Sequence, residues 1–250
     1  MFPSLTTGII AFAIASVVIV TAGSRLARVA DELADRTGLG EALFGIFLLA
    51  GVTSLPDFAA TLSAALDSRP DLAMSNVMGS MAANLVFLGI ADIIYRKANL
   101  EHAAASPTNL MLAALLIVLL ALPLLAIASP PVSLWGIHPI TPVIAAAYLF
   151  GLHLVRTTDS KPMWFPRLTR QTVPDAPGHY LHGGLAQAWI SFIVLAAITG
   201  VAGWVLMEGA KVISDETGLS DTLIGGLFTA LATSSPELVT TIAAIRRNAL

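Results

Sequence analysis

The sequence predicts an all-α membrane protein that is built as an inverted-topology repeat with seven transmembrane helices. Of its 250 residues, 56% are hydrophobic and only 12% are charged, which is about half the charged fraction of a typical soluble domain. Since one spanning helix needs about 20 apolar residues, this apolar content is sufficient for about seven spans. A block of polar residues also recurs once in each half of the chain. The composition therefore excludes a soluble domain.

Seven apolar runs supply the predicted spans. They lie near Leu5–Gly23, Ala42–Leu66, Leu72–Tyr95, Asn109–Ala128, Pro139–Val155, Leu185–Met207 and Thr222–Ile245. Helices are expected because an open sheet would leave backbone N–H and C=O groups without hydrogen bonds in lipid, and because the runs are too long for barrel strands. No Lys or Arg precedes the first run, which distinguishes it from a cleaved signal peptide.

The basic residues predict the orientation of these spans. All but two of the 13 Lys and Arg residues follow odd-numbered spans, and the exceptions are Arg69 and Lys211. By the positive-inside rule the N-terminus is then outside and the C-terminus is cytoplasmic. A net charge of −3 without a basic block argues against nucleic acid as a partner, and the absence of Cys excludes thiolate metal sites. We therefore expect a multi-pass protein of a bacterial-type inner (plasma) membrane, with the lipid bilayer as its partner.

An internal repeat appears when the chain is compared with itself at an offset of 180 residues. Its strongest block is Thr-Ser-Leu-Pro-Asp at 53–57, which matches Thr-Ser-Ser-Pro-Glu at 233–237. Five predicted spans separate the two copies, and because five is odd the second copy enters the membrane from the opposite side. Such inverted duplication is common among secondary transporters, whose sites lie near the bilayer midplane. The predicted organisation is a first repeat at 1–156, a cytoplasmic linker at 157–184 and an incomplete second repeat at 185–250.

Asp57 and Glu237 are the acids of this block, and each lies in the middle of a predicted span. An ionised carboxylate at the bilayer centre costs at least about 2.5–3.5 kcal/mol, and neither span has a Lys or Arg at that depth. The two groups are therefore protonated, hydrated or bound to a cation. The cation is favoured because Thr53 and Thr233 lie one helical turn before each acid, and because a Pro in each block frees a backbone carbonyl. The alternative, a pair of Pro kinks satisfied by Ser and Thr, explains the hydroxyls but not the acids.

Span three contributes further oxygen donors. Ser80 and Asn84 are four residues apart, so that a hydroxyl and an amide share one helix face. Taken alone, this pair would serve equally well as a contact between helices. Together with the two acids it forms a set of hard oxygen ligands, which suits Ca²⁺, and Na⁺ can use the same oxygens.

These residues resemble the cation/calcium exchanger superfamily, and the sodium/calcium exchangers in particular. That family carries Gly-Thr-Ser-x-Pro-Glu on one helix and Gly-Ser-Asn-x-x-Asn on the next. Residues 51–57 and 79–84 are similar to the first repeat of the family, and residues 232–237 are similar to the start of the second. The resemblance implies ten spans in two inverted groups of five, of which this chain has seven. A longer reading frame or a companion chain would supply the missing helices.

The resemblance also implies which residues bind the transported ions. Asp57 and Glu237 would bind Ca²⁺, and neighbouring hydroxyl and amide groups would shape the flanking Na⁺ and Ca²⁺ sites. The complete implied set is Thr53, Ser54, Asp57, Ser80, Asn84, Thr233, Ser234 and Glu237. Val52 is inserted before Thr53, and Asp57 replaces the usual Glu, so that Na⁺, K⁺ and H⁺ all stay open as the counter-ion.

The predicted function is secondary active antiport, in which Ca²⁺ is exchanged for Na⁺, or for K⁺ or H⁺, without a cofactor and without enzymatic activity. One alternative is a non-transporting fragment or scaffold subunit, which the missing helices would explain. Another is a membrane-embedded hydrolase with Asp57 and Glu237 as acid and base. An enzyme acting on lipid phosphates would need Arg or Lys near those acids, and neither span has one at that depth.

Overall fold

The computed structural model describes residues 2–37, 51–103, 105–130, 132–134, 137–160 and 184–247. These residues are helical apart from short connections. They contain no β-strand, only an isolated bridge between Leu134 and Ile137. The described part of the chain is therefore all-α, as the sequence predicts.

Eleven α-helices and two π-helical segments are found in these ranges. The α-helices are α1 Leu5–Val18, α2 Ser24–Thr37, α3 Leu55–Leu66, α4 Pro70–Ile94, α5 Leu100–Ala103, α6 Pro107–Ala128, α7 Ile140–Ser160, α8 Leu185–Thr217, α9 Asp221–Leu223, α10 Ala230–Thr233 and α11 Ser235–Arg247. The first π segment, Ile19–Gly23, joins α1 to α2, and the second π segment, Ile224–Thr229, joins α9 to α10.

Four of the described helical stretches are long and apolar enough to cross a membrane. They are Leu5–Ala34, Pro70–Ile94, Pro107–Ala128 and Leu185–Thr217. Shorter apolar helices at Leu55–Leu66, Ile140–Val155, Asp221–Thr233 and Ser235–Ile245 coincide with the other predicted spans. The structure thus supports an integral membrane protein, whereas the count of seven spans and their inverted arrangement stay predictions. Part of predicted span two, at 42–50, and most of the predicted linker, at 161–183, lie outside the described residues.

The helices form two compact units. The smaller unit, Lys97–Val173, contains α5, α6 and α7, and none of the residues of α6 is buried. A helix that is apolar all round and buries none of its residues completely is suited to a lipid environment. The larger unit comprises the described residues of Met1–Arg96 and Pro174–Leu250, and it contains the remaining helices. The predicted division into two repeats and a linker is not decided by these units and stays a prediction.

The core of the larger unit is formed where α8 packs against α1 and α3. Small residues dominate one of its clusters, which consists of Ala60, Ala64, Leu72, Ala73, Met207, Ala210 and Ile224. A second cluster consists of Ala15, Ile19, Ala202 and Leu206. Small side chains let helix backbones approach closely, and in lipid such packing is a main source of helix association.

The two halves of the larger unit have matching helix bounds. A continuous helical stretch runs from Leu5 to Thr37 through the first π segment, and α8 begins and ends 180 residues later, at Leu185 and Thr217. Gly218 caps the C-terminus of α8, and its φ of 71° is the left-handed conformation that favours glycine at a helix end. Both stretches continue beyond the predicted spans because their last turns still bury side chains, such as Leu33 in α2.

A charged cluster joins the end of α8 to the connection between α3 and α4. Lys211, which is only 7% exposed, pairs with Asp67 and with Glu208, and it donates to Ser63 Oγ at 3.1 Å. Arg69 pairs with two further acids, Asp215 and Asp221. The hydrogen bond and the positive charge from Lys211 hold the pKa of Asp67 below its ordinary value. The two basic residues that are exceptions to the charge pattern of the sequence therefore lie together at one end of this unit.

Candidate functional site

The site begins with two breaks in the helices, one in each half of the chain. Residues 51–53 are helical, Ser54 forms a turn and α3 starts at Leu55, whereas α10 ends at Thr233 and Ser234 forms the second turn before α11. Ser54 has φ −82° and ψ 3°, and Ser234 has φ −84° and ψ 1°. The same backbone conformation thus occurs twice, two residues before the Pro residue of each block, which cannot donate a backbone hydrogen bond.

Asp57 is the centre of a hydrogen-bond network that joins the two halves. Its Oδ1 atom accepts from Ser80 Oγ at 2.5 Å, from Thr233 Oγ1 at 2.6 Å and from Asn76 Nδ2 at 3.4 Å. Ser80 and Asn76 come from α4, whereas Thr233 comes from α10, at the break in the second half. All three donors are electrically neutral and reach the same oxygen, so that they orient the carboxylate without cancelling its charge.

Glu237 and Ser234 contribute oxygen atoms that have no partner. Glu237 Oε2 and Ser234 Oγ are buried, and neither has a hydrogen bond among the described residues. Ser234 directly follows Thr233, whose hydroxyl donates to Asp57, so this serine is next in the chain to a member of the Asp57 network. Buried polar atoms without partners are costly. A bound cation is one group that would supply the missing interactions.

The remaining sequence-predicted residues differ in how far they are exposed. Thr53 is half-buried at the first break, and the side chains of Ser54 and Asn84 are exposed. Among the described residues, Asp57 accepts hydrogen bonds from Ser80, Thr233 and Asn76, and Ser54 and Asn84 are not brought into this network. Their roles as ion ligands, like the role of the whole predicted set, stay predictions.

The expected supply of free backbone carbonyls is smaller than the sequence suggests. The carbonyl of Ala232 loses its helical partner at Pro236, but it accepts a hydrogen bond from Ser235 Oγ at 2.6 Å. A serine hydroxyl therefore satisfies this carbonyl locally, as the alternative of Pro kinks satisfied by Ser and Thr proposes. The buried Oε2 atom of Glu237, by contrast, has no such partner among the described residues.

Three residues of the network were missed by sequence reasoning: the buried Asn76 and Thr229 and the half-buried Thr61. Asn76 Nδ2 also donates to Thr61 Oγ1 at 3.1 Å, and Asn76 Oδ1 accepts from Thr229 Oγ1 at 2.6 Å. A signal for Asn76 was present, because it lies four residues before Ser80 and therefore on the same helix face. Thr229 is related in the same way to Thr233.

Glycines allow the flanking helices to approach the two breaks. A Cβ atom on Gly203 would lie 2.3 Å from the carbonyl oxygen of Pro56, and one on Gly23 would lie 2.6 Å from Pro236 Cγ. The two contacts are reciprocal, since both members of the second pair stand 180 residues from those of the first. A side chain larger than hydrogen has no room at either position.

The arrangement as a whole is a set of hydroxyl, amide and carboxylate oxygens without a basic partner. Within the described ranges, no group of three or more His, Cys, Asp or Glu residues could hold a metal ion. The ion pairs between residues in these ranges involve neither Asp57 nor Glu237. Hard oxygen ligands of this kind suit Ca²⁺ and alkali cations better than soft transition metals.

Comparison with known proteins decides the family. The sodium/calcium exchanger protein family matches residues 7–156 and 187–249, which is most of the chain. The chain belongs to this family. The resemblance inferred from the sequence motifs is therefore confirmed, and so is the prediction of a membrane transporter rather than an enzyme, which removes the hydrolase alternative.

Two curated proteins are similar to the chain. Inner membrane protein YrbG of Escherichia coli (strain K12) is 27% identical over 234 residues, which cover 92% of this chain and 68% of that protein. The "Putative antiporter CaxA" of Alkalimonas amylolytica is 37% identical over 92 residues, which cover 36% of this chain and 29% of that protein. No solved structure matches the chain significantly. These comparisons give no support to the companion chain that the sequence suggested as a source of further helices.

Proposed function

We propose that the protein is a secondary active antiporter that exchanges Ca²⁺ for Na⁺, with K⁺ or H⁺ as alternative counter-ions. The observation that carries this proposal is the meeting of the two halves at Asp57, which accepts a hydrogen bond from Thr233 in the second half. The same segment of the second half carries the unpartnered buried oxygens of Ser234 and Glu237. Membership of the sodium/calcium exchanger family supports the substrate class. The antiporter name of one relative supports the coupling.

The ligand geometry supports a cation that gives up much of its water. Ca²⁺ takes six to eight oxygens at about 2.3–2.6 Å, and two carboxylates with nearby hydroxyls supply part of such a shell. Thr233 Oγ1 donates to Asp57, but the carbonyl oxygens of Thr229 and Ala230 lie 2.9 Å and 3.2 Å from it. When a cation binds, this hydroxyl can turn its proton to a backbone carbonyl and offer its lone pair instead.

The proposal includes an inverted repeat with the site at the midplane. It is supported by the matching bounds of Leu5–Thr37 and Leu185–Thr217, by the equal backbone angles of the two breaks and by the reciprocal glycine–proline contacts. An inverted pair places one break from each side of the membrane at the same depth. The charge pattern supports an external N-terminus and a cytoplasmic C-terminus.

Obligatory exchange follows from the cost of an empty site. Two carboxylates without a cation repel each other and lack solvation in the low-dielectric interior. The empty carrier should therefore change its access from one side to the other only rarely. A carrier loaded with Ca²⁺, or with enough monovalent cations to balance the charge, should change sides readily.

The proposal is tested by uptake of radioactive Ca²⁺ into proteoliposomes that contain the purified chain. An outward Na⁺, K⁺ or proton gradient should drive uptake, and the gradient that does so identifies the counter-ion. Glu237→Gln should abolish uptake because it removes one of the two charges. Glu216→Gln, which changes an exposed acid at the end of α8, is the matched control and should leave uptake unchanged. Wild-type uptake that no cation gradient drives, or full activity of the Glu237 variant, would refute the proposal.

A further inference from the structure

Asn76 is a completely buried amide in the second turn of α4. Its nitrogen donates to two residues of α3, Asp57 and Thr61, and its oxygen accepts from Thr229, the last residue of the second π segment. One side chain therefore links α3, α4 and the second π segment. A buried amide whose donors and acceptor are all used is held in a single orientation.

We propose that Asn76 is a positioning residue that sets the cation affinity of Asp57 and couples the cation site to the second π segment. This inference rests on the proposed function, and it adds a residue that lies outside the ion ligands implied by the sequence. Asn76 acts through Asp57 rather than on the cation.

The chemistry of the amide separates Asn76 from the hydroxyl residues around Asp57. Ser80 and Thr233 carry hydroxyl groups, which can donate to the carboxylate or turn and accept a cation. The amide nitrogen of Asn76 can only donate, and the amide oxygen is occupied by Thr229 at 2.6 Å. Asn76 therefore continues to donate its hydrogen bond to Asp57 Oδ1 whether or not a cation is bound.

The link to the π segment arises at Thr229. Its hydroxyl has one proton and two acceptors in reach, Asn76 Oδ1 at 2.6 Å and the carbonyl of Gly225 at 2.8 Å. Gly225 belongs to the same π segment, and a Cβ atom there would lie 2.1 Å from Ser75 Oγ. The segment is thus packed directly on α4 beside Asn76. Because Asn76 is hydrogen-bonded to Thr229, a shift of Asn76 is expected to change the hydrogen bonding of this turn. Turns of the π-helical type are frequent at functional sites.

The first test compares Asn76→Ala and Thr229→Val with the control Ser75→Ala. Ser75 is next to Asn76 on the same helix, and its hydroxyl donates to the backbone carbonyls of Leu72 and Asp221 rather than to the site. In proteoliposomes, Asn76→Ala should raise the KM for Ca²⁺ roughly 10- to 100-fold, as loss of an outer partner of a metal ligand typically does. Thr229→Val removes the hydroxyl but leaves the shape of the side chain nearly unchanged. It should also raise the KM for Ca²⁺, but by less than Asn76→Ala.

A purely structural role would give a different result. Poor folding lowers the amount of active protein and the maximal rate but leaves the KM of the folded fraction unchanged. A KM within about twofold of wild type in both variants would overturn the inference while leaving the antiport proposal intact. Absence of uptake by the wild-type protein would instead overturn the antiport proposal.

Hydrogen exchange decides the structural part of the inference independently of transport. Asn76→Ala should increase amide exchange in residues 224–233, because the turn loses its bond to α4. Val77→Ala, which truncates an exposed neighbour of Asn76 on α4, should leave the exchange of these residues as in the wild type. Unchanged exchange in the Asn76 variant would overturn the proposed link to the π segment.

Discussion

Replacing Gly203 by Ala tests the close contact between α8 and the helix break beside Asp57. A Cβ atom at this position would lie 2.3 Å from the carbonyl oxygen of Pro56 and 2.8 Å from its Cα. Optimal contacts between heavy atoms lie at about 3.5 Å or more, so α8 or the break must move by about 1 Å. Because the opposing atoms are backbone atoms, no side chain can rotate away. Overpacking of this kind costs about 1–3 kcal/mol.

Gly200→Ala provides the matched control on the same helix. Its Cβ would meet only the side chain of Leu55 at 3.7 Å, which is an ordinary contact. Both substitutions gain the same helix propensity, so their difference isolates the clash. At about 2–4 °C per kcal/mol, Gly203→Ala should unfold roughly 2–12 °C below Gly200→Ala in a detergent melting experiment.

The two variants should also differ in transport, because the forced movement displaces Asp57, which follows Pro56 directly. Equal melting temperatures would refute the reasoning, since they would mean that α8 does not press on Pro56. Gly23→Ala tests the reciprocal contact, where the Cβ would lie 2.6 Å from Pro236 Cγ. A lower melting temperature for Gly203→Ala, together with an unchanged melting temperature for Gly23→Ala, would contradict the equivalence of the two halves.

Two further predictions concern single side chains. Thr233→Val removes a hydroxyl that donates to Asp57 at 2.6 Å. Because a hydrogen bond to a charged group contributes about 1.5–3 kcal/mol, the KM for the cation should rise roughly 10- to 150-fold. An unchanged KM would contradict the place of Thr233 at the site. Lys211 lowers the pKa of Asp67 in the folded protein. The pair therefore stabilises the folded state at pH values above the pKa of an aspartate in the unfolded chain. This contribution is lost as the pH falls through the lowered pKa of the folded state. The melting temperature of the wild type should therefore fall more on strong acidification than that of Asp67→Asn; parallel pH profiles would show that the pair contributes nothing.

The sequence was sufficient to predict the helical membrane class and the correspondence of the two Thr-Ser-x-Pro-acid blocks because both depend on local signals. Apolar runs predict the helices, and Pro56 and Pro236 each remove a backbone donor at a fixed position. The repeat between 53–57 and 233–237 placed Asp57 and Glu237 in equivalent surroundings, and the structure gives the two serine turns equal backbone angles.

Other features had no local signal. Lys211 pairs with Asp67, which lies 144 residues away in the chain. Neither the hydropathy nor the charge pattern of the sequence indicates which acidic residue forms an ion pair with a buried lysine. The sequence also could not show that the hydroxyl of Ser235 would occupy the carbonyl of Ala232, since a serine in a helix can point to solvent or back to the preceding turn. Asn76 is different, because its spacing from Ser80 was visible and only its burial was not.

The central claim is that one cation is held between the carboxylates of the two halves. Anomalous diffraction from crystals grown with Ca²⁺ measures this directly. The account predicts a calcium peak bound by Asp57 and Glu237 at about 2.3–2.6 Å from their carboxylate oxygens. A calcium-saturated crystal with no peak between these two side chains, or with either of them turned towards lipid, would contradict it.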